Sequence, residues 1–352
     1  MMTRNRLRGM AQAAAALGLS AFLAACTGSG TTVGTTNPAN STGDRAGWPT
    51  ELRLGFFGSD DAEAIIESNK PWAEWLSQKL NLPVTYFTGT SYSAVIEAMR
   101  AKRVDAMQVG PFAYLLAVQE ANAEALAIGV TTRANPAKFD PTIKDSYYSV
   151  ISVKKGNDIN KIEDLKGKSF NFVDPASTSG HLVPKTFFLN RGINPDTDMR
   201  TVFAGSHPTS VIALWNGKSD AAASTEATLY NLAQSNQIEF CGFPDGEVGK
   251  DRAAKDIQAL FDSCPNGKIG MLAFSDPIPN TPFAVRGDFP ASFKNAIRDV
   301  LLSMKDEPEL IEQSKRWYLD PSKERGLANL DAAYNPLRDI AKQLNLDLRS
   351  VE

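Results

Sequence analysis

Phe172-Val173-Asp174-Pro175-Ala176-Ser177-Thr178-Ser179-Gly180-His181-Leu182-Val183-Pro184 is the stretch on which the reading of the fold turns. A strand spans residues 169–173, three consecutive hydroxyl residues follow, and an apolar helical pattern covers 180–190. Ser and Thr at a helix start satisfy backbone N–H groups that have no partner within the helix. The same N–H groups and the positive end of the helix dipole can hold an anion. Three hydroxyls offer more donors than one cap requires, so the stretch reads either as an anion site or as a plain N-cap.

The unit repeats in both directions along the chain. Upstream, strand patterns at 52–57, 84–87 and 104–109 alternate with three helical patterns. The first opens at Pro71-Trp72, with Trp72, Trp75, Leu76 and Leu80 at helical spacing. The second covers 92–102, with Val95, Ile96 and Met99 on one face, and the third covers 111–121. A longer β run at 147–153 is ended by Lys154-Lys155-Gly156. Downstream, strands at 201–203, 221–223 and 268–274 alternate with helices at 208–216 and 225–234. The last 60 residues read as largely helical, with Phe293, Ile297, Val300, Leu301 and Met304 on one face. Such alternation implies an α/β fold with mainly parallel sheets covered on both faces. Two halves separated by a long β run imply two lobes and a cleft. Residues 51–150 and 276–352 would form lobe 1 and residues 151–275 lobe 2, with crossings near 149–153 and 272–278.

The 352 residues are 43% apolar and 22% charged, as in ordinary globular proteins, which excludes collagen-like and multi-span membrane chains. The formal net charge of −3 argues against nucleic-acid binding, which relies on Lys and Arg. It also hides an asymmetry. Arg4, Arg6 and Arg8 precede an apolar run at 10–22, and no acid occurs before Asp44. Residues 1–25 therefore read as a secretory signal too short to span a membrane. Leu23-Ala24-Ala25-Cys26 has the form of a bacterial lipobox, which makes Cys26 the lipidation site. Removing the leader takes away three arginines and no acid, leaving a body near −6. Residues 26–50 read as a flexible tether, since 27–47 hold almost no large apolar side chain. The body would lie outside the cytoplasmic membrane, lipid-anchored in a bacterial cell envelope.

In that oxidising compartment Cys241 and Cys264 are the remaining cysteines, and a disulfide is their natural pairing. It would stabilise by roughly 3 kcal/mol on the loop-entropy model. Two free thiols are the alternative, and a zinc site lacks a nearby His. The polar, Gly-rich segment between them reads as a surface excursion.

No Gly-x-Ser-x-Gly elbow, Walker A loop or paired-His motif is present, so no catalytic residue, metal or cofactor is assigned. Asp60-Asp61 reads as a solvated loop before a helix rather than a metal site. His181 reads as a solvent-facing first-turn residue. His207, in Ala204-Gly205-Ser206-His207-Pro208-Thr209, lies between a strand and a helix and can donate to an oxyanion.

The order of these segments resembles the solute-binding proteins of phosphonate, phosphite and phosphate ABC importers. The resemblance runs from about Leu52 to the C-terminal helices. It rests most on Asp174-Pro175-Ala176-Ser177-Thr178-Ser179-Gly180 with Leu182-Val183-Pro184, and on Ala204-Gly205-Ser206-His207. Residues 92–100, Val104-Asp105 and Ser275-Asp276-Pro277-Ile278-Pro279 agree with it. It implies a type II periplasmic-binding fold with a hinged cleft that closes on its ligand. By residue, it implies that Ser177, Thr178 and Ser179 hold phosphorus-bound oxygens, that His207 adds a donor, and that Tyr92 and Tyr147 reach in from the other lobe and the hinge. Where aminoalkylphosphonate binders carry acids that grip an ammonium, this chain has Thr281 at one position and Glu226 at a weaker match. Phosphate, phosphite or a small phosphonate with an uncharged tail therefore fits better than aminoethylphosphonate. The implied partners are that oxyanion and an ABC permease. Rival readings are an extracytoplasmic oxyanion sensor, a binder of another organic anion such as a sulfonate, and a phosphatase-like enzyme, which lacks a nucleophile with an adjacent base.

Overall fold

A computed structural model of the chain describes residues 45–57, 62–244, 246–344 and 346. The leader, Cys26 and Asp60-Asp61 lie outside the described residues. Thirteen strands are present in this range: β1 (Leu52–Phe57), β2 (Val84–Gly89), β3 (Ala106–Gln108), β4 (Ala123–Thr131), β5 (Ser146–Tyr147), β6 (Ser149–Lys154), β7 (Ser169–Phe172), β8 (Arg200–Phe203), β9 (Ala221–Thr225), β10 (Ile269–Phe274), β11 (Ile278–Pro279), β12 (Pro282–Arg286) and β13 (Arg316–Leu319).

They form two larger sheets joined by a short ribbon. The first sheet has the order β13-β4-β12-β3-β1-β2 and the second β10-β6-β9-β7-β8. In the first, β1 to β4 run one way and β12 and β13 run against them. In the second, only β6 opposes the other four. The opposing strands belong mostly to segments that leave or re-enter a lobe, where no crossover helix reverses the chain. Between the sheets β5 pairs antiparallel with β11, Tyr147 opposite Ile278.

Each sheet is covered on both faces, as a mainly parallel sheet requires. On one face of the first sheet, Trp72, Leu76 and Leu80 of helix Ala62–Leu80 meet Phe293, Ile297 and Leu301 of helix Ala291–Ser303. The other face carries helices Tyr92–Arg100 and Pro111–Ala121. In the second sheet, Phe170, Phe172 and Phe188 pack on one face and Val211, Leu214 and Leu229 on the other.

Several local expectations are corrected. The first helix begins at Ala62 and carries Pro71 inside it, not at its start. The run at 147–153 is broken at Tyr148, whose hydroxyl donates to Asp251. The C-terminal region contains β13 as well as helices, and β4 and β12 are further strands that the alternation does not announce. β4 contains three alanines and a glutamate, poor strand formers whose assignment comes from pairing on both edges. Cys241 and Cys264 are disulfide-bonded, with Cα atoms 5.7 Å apart. The segment they bracket is not all excursion: helix Ala254–Ser263 buries Ile257 and Phe261 against the second sheet. At the end of the expected tether, Trp48 packs at a tilt on Phe293, ring centres 5.0 Å apart, and donates to Ser292 Oγ at 3.0 Å.

Candidate ligand-binding cleft

The decisive stretch folds in an unusual way. After β7 the chain turns at Asp174-Pro175, and residues Thr178–Leu182 form a π-helical turn that runs into helix Val183–Leu189. Leu182 N–H donates to Ser177 O (3.0 Å) and Val183 N–H to Thr178 O, both one residue wider than an α-helical bond. Such turns concentrate at functional sites. Ser177 is the N-cap and accepts from Gly180 N–H at 3.0 Å. Gly180 is required here, because a Cβ would lie 2.4 Å from Val173 Cβ. Ser179 is held from behind, its carbonyl accepting from Ser149 Oγ at 2.6 Å.

Ser177, Thr178 and Ser179 are buried and line a cavity of about 390 Å³. Tyr92, Tyr147, His207, Glu226 and Thr281 line the same cavity, so the structure brings together all eight residues singled out from sequence. Tyr92 opens helix Tyr92–Arg100 and stacks on Phe57 at 4.1 Å. Its hydroxyl pairs with Ser177, and burial pushes its pKa well up. Tyr147 leaves the hinge ribbon to pair with Ser179 and Thr178, its pKa pushed up by burial to about 12. Both phenols therefore remain protonated donors.

His207 is the first residue of helix His207–Trp215, which Ser206 caps by accepting from Thr209 N–H at 3.1 Å. Burial pushes its imidazole down to about 4, so it is neutral near pH 7. Its Nδ1 is covered and has no hydrogen-bond partner among the described residues. His181, by contrast, is not solvent-facing. It is buried between Phe172 and Phe203 with Nδ1 2.9 Å from Pro175 O, and it does not line the cavity.

Glu226 opens helix Glu226–Gln234, is buried, and accepts from Gly249 N–H at 3.2 Å through Oε2. Thr281 is half-buried, and its carbonyl accepts from Gly129 N–H at 3.0 Å. Asp174 is buried beneath the turn. Desolvation pushes its carboxyl up, while the Ala176 and Tyr92 N–H groups oppose that shift.

The two sheets' elements meet directly across the cleft. Phe112 N–H, at the start of helix Pro111–Ala121, donates to Thr178 Oγ1 at 2.8 Å. Farther out, Arg133 donates to Asn231 and, at 3.0 Å, to Gln234, and lies over the Tyr230 ring. A spacing argument based on neutral donors gives the site no cation. The structure places two in the cavity wall, Arg316 and Lys144, the latter paired with Asp251. Arg316 escapes sequence reading because it sits on β13, far from every motif.

Residues 54–324 match the model of a family described as the periplasmic phosphonate substrate-binding proteins of ABC transporters. The chain belongs to this family. The family's proteins bind substrates for transport, and the fold is the two-lobed type II periplasmic-binding fold. The chain is 32% identical over 228 residues to the phosphate-import protein PhnD of Mycolicibacterium smegmatis, covering 60% of this chain and 63% of that one. It is 30% identical over 189 residues to the phosphonates-binding periplasmic protein of Escherichia coli, covering 52% and 53%. The matched stretches thus span less than two thirds of these relatives. PhnD1 of Prochlorococcus marinus, solved in complex with methylphosphonate, superposes with a TM-score of 0.63 at 18% identity, covering 84% of this chain and 99% of that one. Among the described residues, no helix of this family member is long and apolar enough to cross a membrane.

Proposed function

We propose that the protein is the lipid-anchored solute receptor of an ABC importer, capturing phosphate, phosphite or a small phosphonate between lobes 51–150/276–352 and 151–275. The anchor is Cys26 and the downstream partner is a membrane permease. The observation that carries this reading is the convergence of donors on one cavity: the N–H groups of Thr178 and Ser179, the hydroxyls of Ser177–Ser179, the Tyr92 and Tyr147 phenols, and the neutral His207. They come from both lobes and the hinge, so closure gathers them around one tetrahedral oxyanion and excludes water. Charge-assisted bonds to an anion are shorter and stronger than neutral ones. The ligands printed in the relatives' names, phosphate, phosphonates and, for a Prochlorococcus marinus relative, phosphite, fall within the class this donor set suits.

Calorimetric titration with phosphate, phosphite, methylphosphonate and sulfate tests the reading. Binding of at least one phosphorus oxyanion is expected, with Ser177→Ala and His207→Ala each weakening it about tenfold or more. No binding of any phosphorus oxyanion would overturn it. Release of Cys26-containing protein from membranes by detergent, and loss of membrane association in Cys26→Ser, tests the anchor.

A further inference from the structure

The cavity is larger than the proposed oxyanion needs. About 390 Å³ lies within the range of sites that take drug-sized molecules, about 300–1,000 Å³. Its shape follows from strand alternation. Phe56 and Phe57 are consecutive residues of β1 and point to opposite faces of the first sheet, as neighbours in a strand must. Phe57 packs with Tyr92 on the face carrying helix Pro111–Ala121, and Phe56 with Trp72 and Tyr318 on the other. Both line the cavity, as do the consecutive Gln108 and Val109. The cavity therefore wraps the end of the sheet, at the C-terminal ends of β1 and β3. One arm holds the hydroxyl turn and the tyrosines. The other reaches toward helix Ala62–Leu80 and is lined by Arg316, Gln108, Tyr318 and Asn69.

Among the described residues, this second arm contains a cation without a counter-charge. Arg316 Nη1 donates to Gln108 Oε1 at 3.3 Å and Nε to Ser314 O at 3.5 Å, and the guanidinium lies 5.9 Å from the centre of the Trp72 ring. Gln108 in turn donates to the Tyr318 hydroxyl. Among the described residues no carboxylate forms an ion pair with Arg316, whereas Lys144 in the same cavity is paired with Asp251. Asn69, 6% exposed, adds an Oδ1 with no hydrogen-bond partner among the described residues. A guanidinium has five donors in a fork suited to a carboxylate, and here its hydrogen-bond partners are neutral oxygens, those of Gln108, Ser314 and the Tyr318 hydroxyl.

We propose that Arg316 is a second anchor of the cleft, held by Gln108, that takes an anionic group on the organic substituent of the ligand, so that the preferred substrate class is a short phosphonate with a carboxylate tail. This rests on the oxyanion reading above and deepens it. It also reverses the expectation of an uncharged tail, since the charge Arg316 supplies is opposite to the one Thr281 fails to supply.

Calorimetric titration of the protein and of Arg316→Gln with methylphosphonate and phosphonoacetate tests it. Phosphonoacetate should bind the unaltered protein about tenfold or more tightly than methylphosphonate, the worth of one charge-assisted pair. Arg316→Gln should remove that advantage and leave methylphosphonate affinity within about threefold, which also shows that the variant is folded. Equal affinity for the two ligands in the unaltered protein overturns the proposal while leaving the oxyanion reading intact. So does equal loss for both ligands in the variant, which would place Arg316 on the phosphorus oxygens or in the scaffold. Failure of both ligands to bind the unaltered protein overturns this proposal, and the oxyanion reading falls with it only when phosphate and phosphite fail to bind as well.

Discussion

Thr178 Oγ1 accepts the Phe112 backbone N–H at 2.8 Å, tying the hydroxyl turn that follows β7 to the first turn of a helix on the opposite sheet. One side chain thus has two tasks. It lines the proposed anion site, and it satisfies a buried donor of the other lobe. Thr178→Val keeps the shape and removes the acceptor, leaving the Phe112 N–H without a partner. Unfolding free energy without ligand should fall by about 1–3 kcal/mol, and Thr178→Ser should restore most of it. Denaturant unfolding of the three proteins checks this. An unchanged midpoint for the valine variant would show that the contact does not hold the lobes.

His207 makes stability depend on pH. Its folded-state value, about 4, lies below the unfolded value near 6.5, so the unfolded chain binds more protons between those limits. The stability it contributes is present above pH 6.5 and is lost as pH falls toward 4. Burial depresses His181 as well, and it acts in the same direction. Melting temperature followed from pH 7 to 4 should therefore drop, and His207→Gln should flatten the curve without abolishing the slope.

Gly180 has no room for a side chain. A Cβ there meets Val173 Cβ at 2.4 Å and Ser177 Oγ at 2.7 Å, the same atom that caps the turn. Gly180→Ala should cost about 1–3 kcal/mol of stability and weaken binding of methylphosphonate, because relief of the clash moves the donors. Thermal unfolding and calorimetry read the two effects separately.

The Cys241–Cys264 disulfide closes the segment that carries Gly249, whose N–H holds Glu226. Replacing both cysteines by serine should lower stability by roughly 3 kcal/mol on the loop-entropy model. Reducing agent should shift the melting temperature of the unaltered protein and leave the double variant unmoved.

The hydroxyl turn was open to sequence reading because its signals are local. A strand end, three consecutive hydroxyls and a Gly before an apolar run specify a capped turn whatever surrounds them. Tyr92 and Tyr147 were reached only through the order of segments shared with a family, and His207 had only its place between a strand and a helix besides. Arg316 was not reached at all. Its strand holds four residues and borrows its conformation from β4, and no spacing relates Arg316 to Gln108, more than 200 positions earlier in the chain. The placement of His181 was missed for a similar reason. A polar residue in a first turn reads as exposed until Phe172 and Phe203 close around it.

Sequence by itself determined the α/β alternation, the natural pairing of the two cysteines and the hydroxyl-rich character of the turn after β7. Each depends on neighbours along the chain, through side-chain periodicity, capping and redox compartment. Tertiary structure alone decided that eight residues from six places in the chain share one cavity, that the cavity wraps the end of a sheet, and that it holds a guanidinium. Those facts depend on which strands pair and which faces are covered, and pairing brings together residues between which the chain carries no periodic signal. The net charge of −3, spread over the whole chain, says nothing about the sign of the charge at the one place where a ligand would meet it.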